Sequence, residues 1–353
     1  MSKLAVIIGV TGNQGGSVAR RFLQDPRYRV RGITRDPASA KAQELSSQGM
    51  EIVKADLEDV DSLVAAFRGA NVIFSVTNYW EPFFRPDHRQ AAADAGISIR
   101  QHAYNVEYRQ GKNIADAAAV VVDSLDDNGF LASTLSHGTK SSKGLYQELY
   151  HFDAKADIFP YYVEEKWPQL AAKTSYIQTG FFTRSYNFVP TAYFQKQPDG
   201  TRHMLFPTDP DSLIPHLDVN RDTGNFVYAV SKMPPGNHYL AEGTTCSWSE
   251  YIRLFTSITG IPAQYKQTTL AGMMEAVLDR EFGREVGDML LYSTDPGYDG
   301  GDKTILKATD IRRVGSLSSV IKRREISTDF SGWDRVPNDE PRGMDEIGGL
   351  VCS

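Results

Sequence analysis

The chain has 353 residues, with 38 Lys and Arg against 44 Asp and Glu for a formal charge of −6, and it is 41% hydrophobic and 11% aromatic. That length argues for two or three lobes around a large core, and a mildly acidic balance without a basic tract argues against direct nucleic-acid reading or an anionic membrane as partner. Cys246 and Cys352 are too few for a disulfide framework or a cysteine zinc site, and no targeting or membrane-spanning run is visible, so a cytoplasmic location is expected.

In chain order, short β-branched runs alternate with segments of helical period, the pattern of an α/β protein with a parallel sheet wrapped by helices. Strands are predicted at Leu4–Ile8, Arg29–Thr34, Ile52–Lys54, Val72–Val76, Phe130–Leu135 and Ser175–Gln178. Helices fit between them at Gly16–Gln24, Ala38–Gln48 and Ser62–Arg68, then a long one ending near Val122 and one over Phe152–Lys166 that Pro160 should bend or interrupt. Right-handed crossovers turn such a series into a doubly wound sheet. After Gly180 the alternation stops, and Pro190, Pro198, Pro207, Pro210 and Pro215 punctuate an aromatic stretch that reads as a loop-rich lobe. Asp222–Lys232 predicts a helix and Tyr239–Ala241 a strand returning to the main sheet. Ser247 and Glu250 form a capping box for a helix ending at Thr259, with Gly260 and Pro262 as its stop. The chain thus divides into a sheet domain (1–180 plus 217–243), a smaller discontinuous lobe (181–216 plus 244–330) and a weakly ordered tail (331–353).

The strongest local signal is the run from Gly9 through Thr11, Gly12, Asn13, Gln14 and Gly15, placed between the first strand and first helix. Gly9 permits the turn out of the strand, Gly12 lets a pyrophosphate approach the backbone, and Gly15 lets the helix pack while its amides face the anion. The second strand ends at Thr34-Arg35, with no acid where an NAD site would place one. A guanidinium there suits a 2′-phosphate and so NADP(H), the alternative being a solvated arginine or an ion pair with Asp36. Asp56 and Leu57 would lie beside the adenine, and Thr77, Asn78 and Tyr79 beside ribose and pyrophosphate.

These residues resemble the NmrA-like group of atypical short-chain dehydrogenase/reductases. The likeness runs from Leu4 to about Ala308, carried by GVTGNQGGSVAR at 9–20, VRGITRDP at 30–37, SVTNYWEPFF at 75–84, GKNIADAAA at 111–119, HFDAK at 151–155, TSYIQTGFF at 174–182 and DPGYDGGD at 295–302. The resemblance implies a Rossmann-like NADP(H) domain with a smaller, interrupted C-terminal lobe closing a cleft over the nicotinamide. It also implies two functional classes: members that report dinucleotide state to protein partners, in cytoplasm or nucleus, and isoflavone-reductase-type members that reduce small molecules.

A literal Tyr-x-x-x-Lys pair, Tyr162 to Lys166, stands far along its helix beside Glu164 and Glu165 and reads as a solvated face. Lys155, near its helix start and so nearer the sheet edge, is the preferred catalytic candidate. A lysine at the matching place in the reductase relatives is catalytic or ribose-orienting. It can bind ribose, donate a proton or hold an anionic intermediate, or else simply meet the pyrophosphate or a carboxylate. His151 is a second candidate, to orient water or substrate, against a packing or capping role, and His137 could enter the cleft from the end of the fifth strand. The other histidines lack metal-ligand spacing and no metal is expected. Phe181 or Phe182 could cover the nicotinamide, Asn187 could reach its amide, and Tyr79, Trp80, Phe83 and Phe84 could form an apolar wall, the alternative for each aromatic being plain packing. Two functions follow: a reductase of a small molecule with C=O, C=N or activated C=C, or an NADP(H)-responsive regulator acting through a protein partner.

Overall fold

The computed structural model describes residues 2–187 and 193–314. Seven parallel strands, β1 (Lys3–Ile7), β2 (Tyr28–Thr34), β3 (Glu51–Lys54), β4 (Val72–Ser75), β5 (Phe130–Thr134), β6 (Thr174–Thr179) and β11 (His238–Ala241), form one sheet in the order β3-β2-β1-β4-β5-β6-β11. This is the doubly wound, Rossmann-like α/β fold expected from the alternating pattern, and the predicted returning strand pairs parallel with β6. β4, β5 and β6 are buried at every residue because helices cover both faces, which is why β4 and β5 open on the apolar runs Val72-Ile73-Phe74 and Phe130-Leu131-Ala132, while β6 buries polar residues as well.

Along β1 the side chains alternate between two cores. Leu4 and Val6 join Ile73, Phe130 and Ile114 on one face, while Ala5 and Ile7 join Phe22, Phe74 and Phe226 on the other. The second layer is sealed where Gly224 lies against the Ser17 carbonyl of the first helix, leaving no space for a Cβ.

Three elements differ from their sequence reading. The first helix begins at Asn13 rather than Gly16, directly after the turn, because Gly12 already has extended N-cap geometry. The helix expected over Phe152–Lys166 is broken into Tyr150–Ala156, a wide turn at Asp157–Tyr162 and Val163–Lys166, with Phe159 extended ahead of Pro160. A residue before proline is pushed out of the α region, and proline itself has no N–H to continue the ladder. The lobe expected to be loop-rich holds two three-stranded sheets. One orders β12 (Thr244–Cys246), β10 (Ile214–Leu217) and β7 (Phe181–Phe182); the other orders β13 (Ala263–Gln267), β9 (Arg202–Phe206) and β8 (Gln195–Lys196). Pro215 is tolerated inside β10 because pairing with β7 involves only His216 and Leu217. The serine half of the capping box is present: Ser247 accepts from the Glu250 amide, and Gly260 closes the helix Trp248–Thr259 at φ 72°, while the Glu250 carboxylate faces Arg253. Pro190, Cys352 and the tail 331–353 lie outside the described residues. No described helix is long and apolar enough to cross a membrane.

Candidate active site

β1 turns one way to β2 and β3, and the chain then returns to place β4 on the other side of β1. At such a switch point the loops after adjacent strands diverge and leave a crevice at their carboxyl ends. A cleft of about 490 Å³ opens there, lined in turn by Gly9 after β1, Arg35 after β2, Asp56 and Leu57 after β3, Thr77 to Tyr79 after β4, Leu135 after β5 and Phe181 after β6. Thr11, Gly12, Asn13, Gln14, Gly15, His151 and Lys155 line the same cleft, so the phosphate loop, the strand-end residues and the two preferred catalytic candidates meet in one place.

The phosphate-loop geometry follows from its glycines. Gly9 has φ 63°, and a Cβ on Gly15 would stand 2.2 Å from the Gly9 carbonyl oxygen, so no side chain fits where the helix crosses the turn. The helix Asn13–Leu23 starts without a side-chain cap. The amides of its first turn therefore have no intrahelical acceptor and face the cleft with the positive end of the helix dipole. Gln14 is fixed from across the sheet by Ser133, whose hydroxyl donates to its Oε1 at 2.8 Å.

Arg35 donates to Glu81 Oε1 at 3.1 Å, and Glu81 also pairs with Arg85 at 3.2 Å. Asp36, the local partner considered from sequence, accepts from the Ala38 amide at 2.9 Å. Asp56 likewise accepts from the Glu58 amide at 3.0 Å, and Asn113 holds the Leu57 carbonyl at 2.8 Å. Two cleft hydroxyls are also committed to protein: Thr77 donates to Glu107 Oε1 at 2.7 Å, and Tyr79 donates to the Arg100 carbonyl at 3.2 Å. Burial pushes the Tyr79 phenol well above its ordinary range.

Lys155 forms an ion pair with Glu107, whose side chain is 0% exposed and whose Oε2 has no hydrogen-bond partner among the described residues. His151 rests on a second buried carboxylate. Glu285 Oε1 accepts from the His151 backbone amide at 2.8 Å and meets its Nδ1 at 2.6 Å, while Trp80 and Phe152 pack on the ring. Neither carboxylate was singled out from the sequence. The available signal was that Arg100, Ala103, Glu107, Gly111, Ile114 and Ala118 share one helix stripe, where a charge interrupts an apolar face. The helix Arg280–Tyr292, also unread, supplies Phe282, Val286 and Met289 to the cleft, its start marked by Asp279 accepting from the Glu281 and Phe282 amides.

Beyond Lys155 and His151 the wall is apolar: Trp80, Phe84, Phe181, Tyr193, Phe282, Met289. Phe182 lines the cleft as well, Phe83 packs behind Trp80, and the Asn187 side chain lies outside those described. Tyr162 is not among the lining residues. Its hydroxyl donates to Asp116 at 2.6 Å, and burial together with that carboxylate raises its pKa, the reverse of an activated phenol.

His137 does not enter the cleft, contrary to expectation. It sits between Asp153 Oδ1 at 2.9 Å and Asp157 Oδ1 at 3.2 Å, and although burial alone would lower its pKa, the two carboxylates together lift it to about 9. The Lys140 amide, 3.4 Å away, is too distant to hold Nδ1 as an acceptor. A histidine raised from 6.5 to about 9 on folding contributes stability fully present below pH 6.5 and lost as pH rises through about 9. We expect the unfolding free energy from urea titrations to fall across that window by on the order of 3 kcal/mol, and His137→Asn to flatten the dependence. An unchanged slope in the variant would show that the histidine is not charged in the folded chain.

A model of the NmrA-like family matches residues 1–321. An NmrA-like family domain-containing oxidoreductase of Malbranchea aurantiaca is 26% identical over 370 residues, covering 95% of this chain and 98% of its own. A shorter match, 40% identical over 119 residues, links the chain to another such oxidoreductase of Cladobotryum sp, covering 34% of this chain and only 31% of that relative. Among solved structures, the negative transcriptional regulator NmrA in complex with NADP has a TM-score of 0.64 at 18% identity, covering 98% of this chain and 94% of its own. An NADPH-dependent quinone oxidoreductase from Escherichia coli, complexed with NADPH, has a TM-score of 0.59 at 17% identity, covering 90% and 98%. At these identities the structural likeness is one of fold.

Proposed function

The chain belongs to the NmrA-like family, and we propose that it is an NADPH-dependent reductase of a small, uncharged, largely apolar molecule bearing a C=O, C=N or activated C=C bond. The observation carrying this reading is the continuity of the cleft, which runs from bare helix amides past Lys155 and His151 to an aromatic wall, the nearby Glu81 being paired with Arg35 and Arg85. A regulator that only sensed the dinucleotide would have no use for open apolar space beside two proton-bearing side chains. The relatives named as oxidoreductases support the same side.

The loop accepts a dinucleotide on chemical grounds: its first-turn amides are uncapped, and Gly12 and Gly15 leave the backbone bare for a pyrophosphate. In this reading Arg35 meets the 2′-phosphate, Asp56 and Leu57 flank the adenine, and Thr77 to Tyr79 border the ribose and pyrophosphate. Lys155 orients the nicotinamide ribose, and Phe181 closes over the ring. When bound, NADPH supplies the hydride. The sheet domain (1–180 plus 217–243) then carries the cofactor, and the smaller lobe (181–216 plus 244–330) covers the substrate.

NADPH titration followed by fluorescence, then its consumption against a panel of quinones, ketones, imines and activated alkenes, tests the proposal. Binding with turnover supports it, and tight binding with no turnover across the panel would favour the regulator. Cofactor choice is tested separately. Arg35→Ala should weaken NADPH by about 1.5–3 kcal/mol while leaving NADH little changed. Glu81→Gln, which removes an anion beside Arg35, should move NADPH affinity the other way. Equal losses for both cofactors in Arg35→Ala would remove the 2′-phosphate assignment.

A further inference from the structure

We infer that His151 is the proton donor of the site and that Glu285 is its positioning residue, an inference that rests on the reductase reading above. The imidazole's Nδ1 is taken by Glu285 Oε1 at 2.6 Å, and the same oxygen accepts the His151 backbone amide at 2.8 Å, so the carboxylate fixes both the ring's rotation and its tautomer. Glu285 is itself 0% exposed and faces the Arg100 guanidinium, whose Nη1 lies 3.6 Å from Oε2, a charge contact too long for a hydrogen bond. Arg100 continues to Glu148 and Glu281, both about half exposed, so the buried charges are tied to the surface.

With Nδ1 engaged, the remaining ring nitrogen is Nε2. His151 lines the cleft, and its described hydrogen bonds engage only the backbone amide and Nδ1, so Nε2 is the nitrogen left for a ligand in the cleft. The neighbouring cation is differently placed. Lys155 is clamped by Glu107, a carboxylate that also takes the Thr77 hydroxyl, so its charge is neutralised beside the phosphate-loop half of the cleft. Trp80 and Phe152, packed on the imidazole, keep water off its faces.

The step this arrangement serves is the proton half of a reduction. For a carbonyl acceptor the sum is R₂C=O + NADPH + H⁺ → R₂CHOH + NADP⁺. As the C=O π bond breaks, its oxygen forms an O–H bond with the proton that leaves Nε2. The donor is therefore the imidazolium, protonated at both nitrogens: giving up the Nε2 proton leaves the neutral ring, its Nδ1–H still donated to Glu285, until solvent returns a proton to Nε2. Acceptors needing both hydride and proton, such as quinones and ketones, are therefore the substrate class, in preference to preformed carbocations that need hydride alone.

The test begins with a readout independent of turnover. In protein labelled with ¹⁵N-histidine, long-range proton–nitrogen spectra should show neutral His151 as the Nδ1–H tautomer, and Glu285→Leu should return it to the Nε2–H form usual in water. Kinetically, His151→Gln and Glu285→Leu should each lower kcat for a quinone acceptor by roughly 100-fold, the scale of general acid catalysis, with NADPH affinity unchanged. Glu285→Gln, which keeps an acceptor but loses the charge, should retain the tautomer and fall between. An Nε2–H tautomer in the wild-type chain, or unchanged kcat in His151→Gln, overturns the inference, and the histidine variant does so even if Glu285→Leu fails to fold. Absence of NADPH binding by a chain that shows the Nδ1–H tautomer would instead remove the reductase reading and the acid role with it, so the tautomer tells the two failures apart.

Discussion

Lys155→Met should cost turnover and stability together: roughly 100-fold or more in NADPH consumption, and about 3–5 kcal/mol in unfolding free energy. The two losses have one origin. Glu107 is fully buried, and among the described residues its Oε2 has no donor and only Lys155 and the Thr77 hydroxyl reach its Oε1. Taking away the ammonium leaves a desolvated carboxylate with a single neutral hydrogen bond, which is expensive because the attraction that offset its burial is gone. The double variant Lys155→Met with Glu107→Leu separates the roles. Replacing a buried ion pair by apolar groups of similar volume is close to neutral, so stability should return towards the wild-type value. Turnover should not return, because the apolar pair offers nothing to orient a ribose. Urea unfolding and NADPH oxidation on the same preparations read both effects. A double variant that recovers activity would show that Lys155 serves only to neutralise Glu107.

The parts of this site that were legible in the sequence are those whose physics is local. The turn from Gly9 to Gly15 is defined by backbone space within seven residues, and Arg35 by its place at the end of an apolar strand. Strands of the main sheet were legible because burial on both faces favours consecutive apolar residues, as in Val72-Ile73-Phe74 and Phe130-Leu131-Ala132. The small sheets were not. β13 reads Ala-Gln-Tyr-Lys-Gln and has no buried residue, and β9 pairs locally only with the two-residue β8, its longer partner β13 lying far along the chain. Nothing in either segment's own period distinguishes it from loop.

The two carboxylates were missed for a different reason. A glutamate in isolation predicts solvent, and only its partner makes burial affordable. Glu107 meets Lys155 across 48 residues and Glu285 meets His151 across 134, separations that no local pattern encodes. The same holds for His137. Its place after β5 pointed toward the cleft, but Asp153 and Asp157 draw it away to the far side of the helix that carries His151 and Lys155. The sequence located the strand ends correctly, then, while the pairing of charges among the helices above them decided which side chains face the cleft.

Arg100→Met is expected to destabilise the chain by about 3–5 kcal/mol, an effect set by how many elements one guanidinium joins. Its Nη2 donates to Glu148 Oε2 at 2.8 Å and its Nε to Glu281 Oε2 at 2.9 Å, while Nη1 donates to the Glu148 carbonyl at 3.2 Å and faces Glu285. One side chain thus links the helix Ile99–Val120 to the segment before Tyr150 and to the helix Arg280–Tyr292. The side chain is only 8% exposed, so solvent cannot take over these contacts. Arg100→Lys keeps the charge but not the fork, and a single ammonium cannot meet three acceptors spread around a plane; we expect it to recover no more than about half of the loss. Because Glu285 would then rest on His151 alone, both variants should also broaden or shift the His151 ring resonances without touching the phosphate loop. NADPH affinity should accordingly survive in Arg100→Lys while turnover falls. Parallel losses of affinity and turnover in that variant would mean that the network supports the whole cleft rather than the histidine.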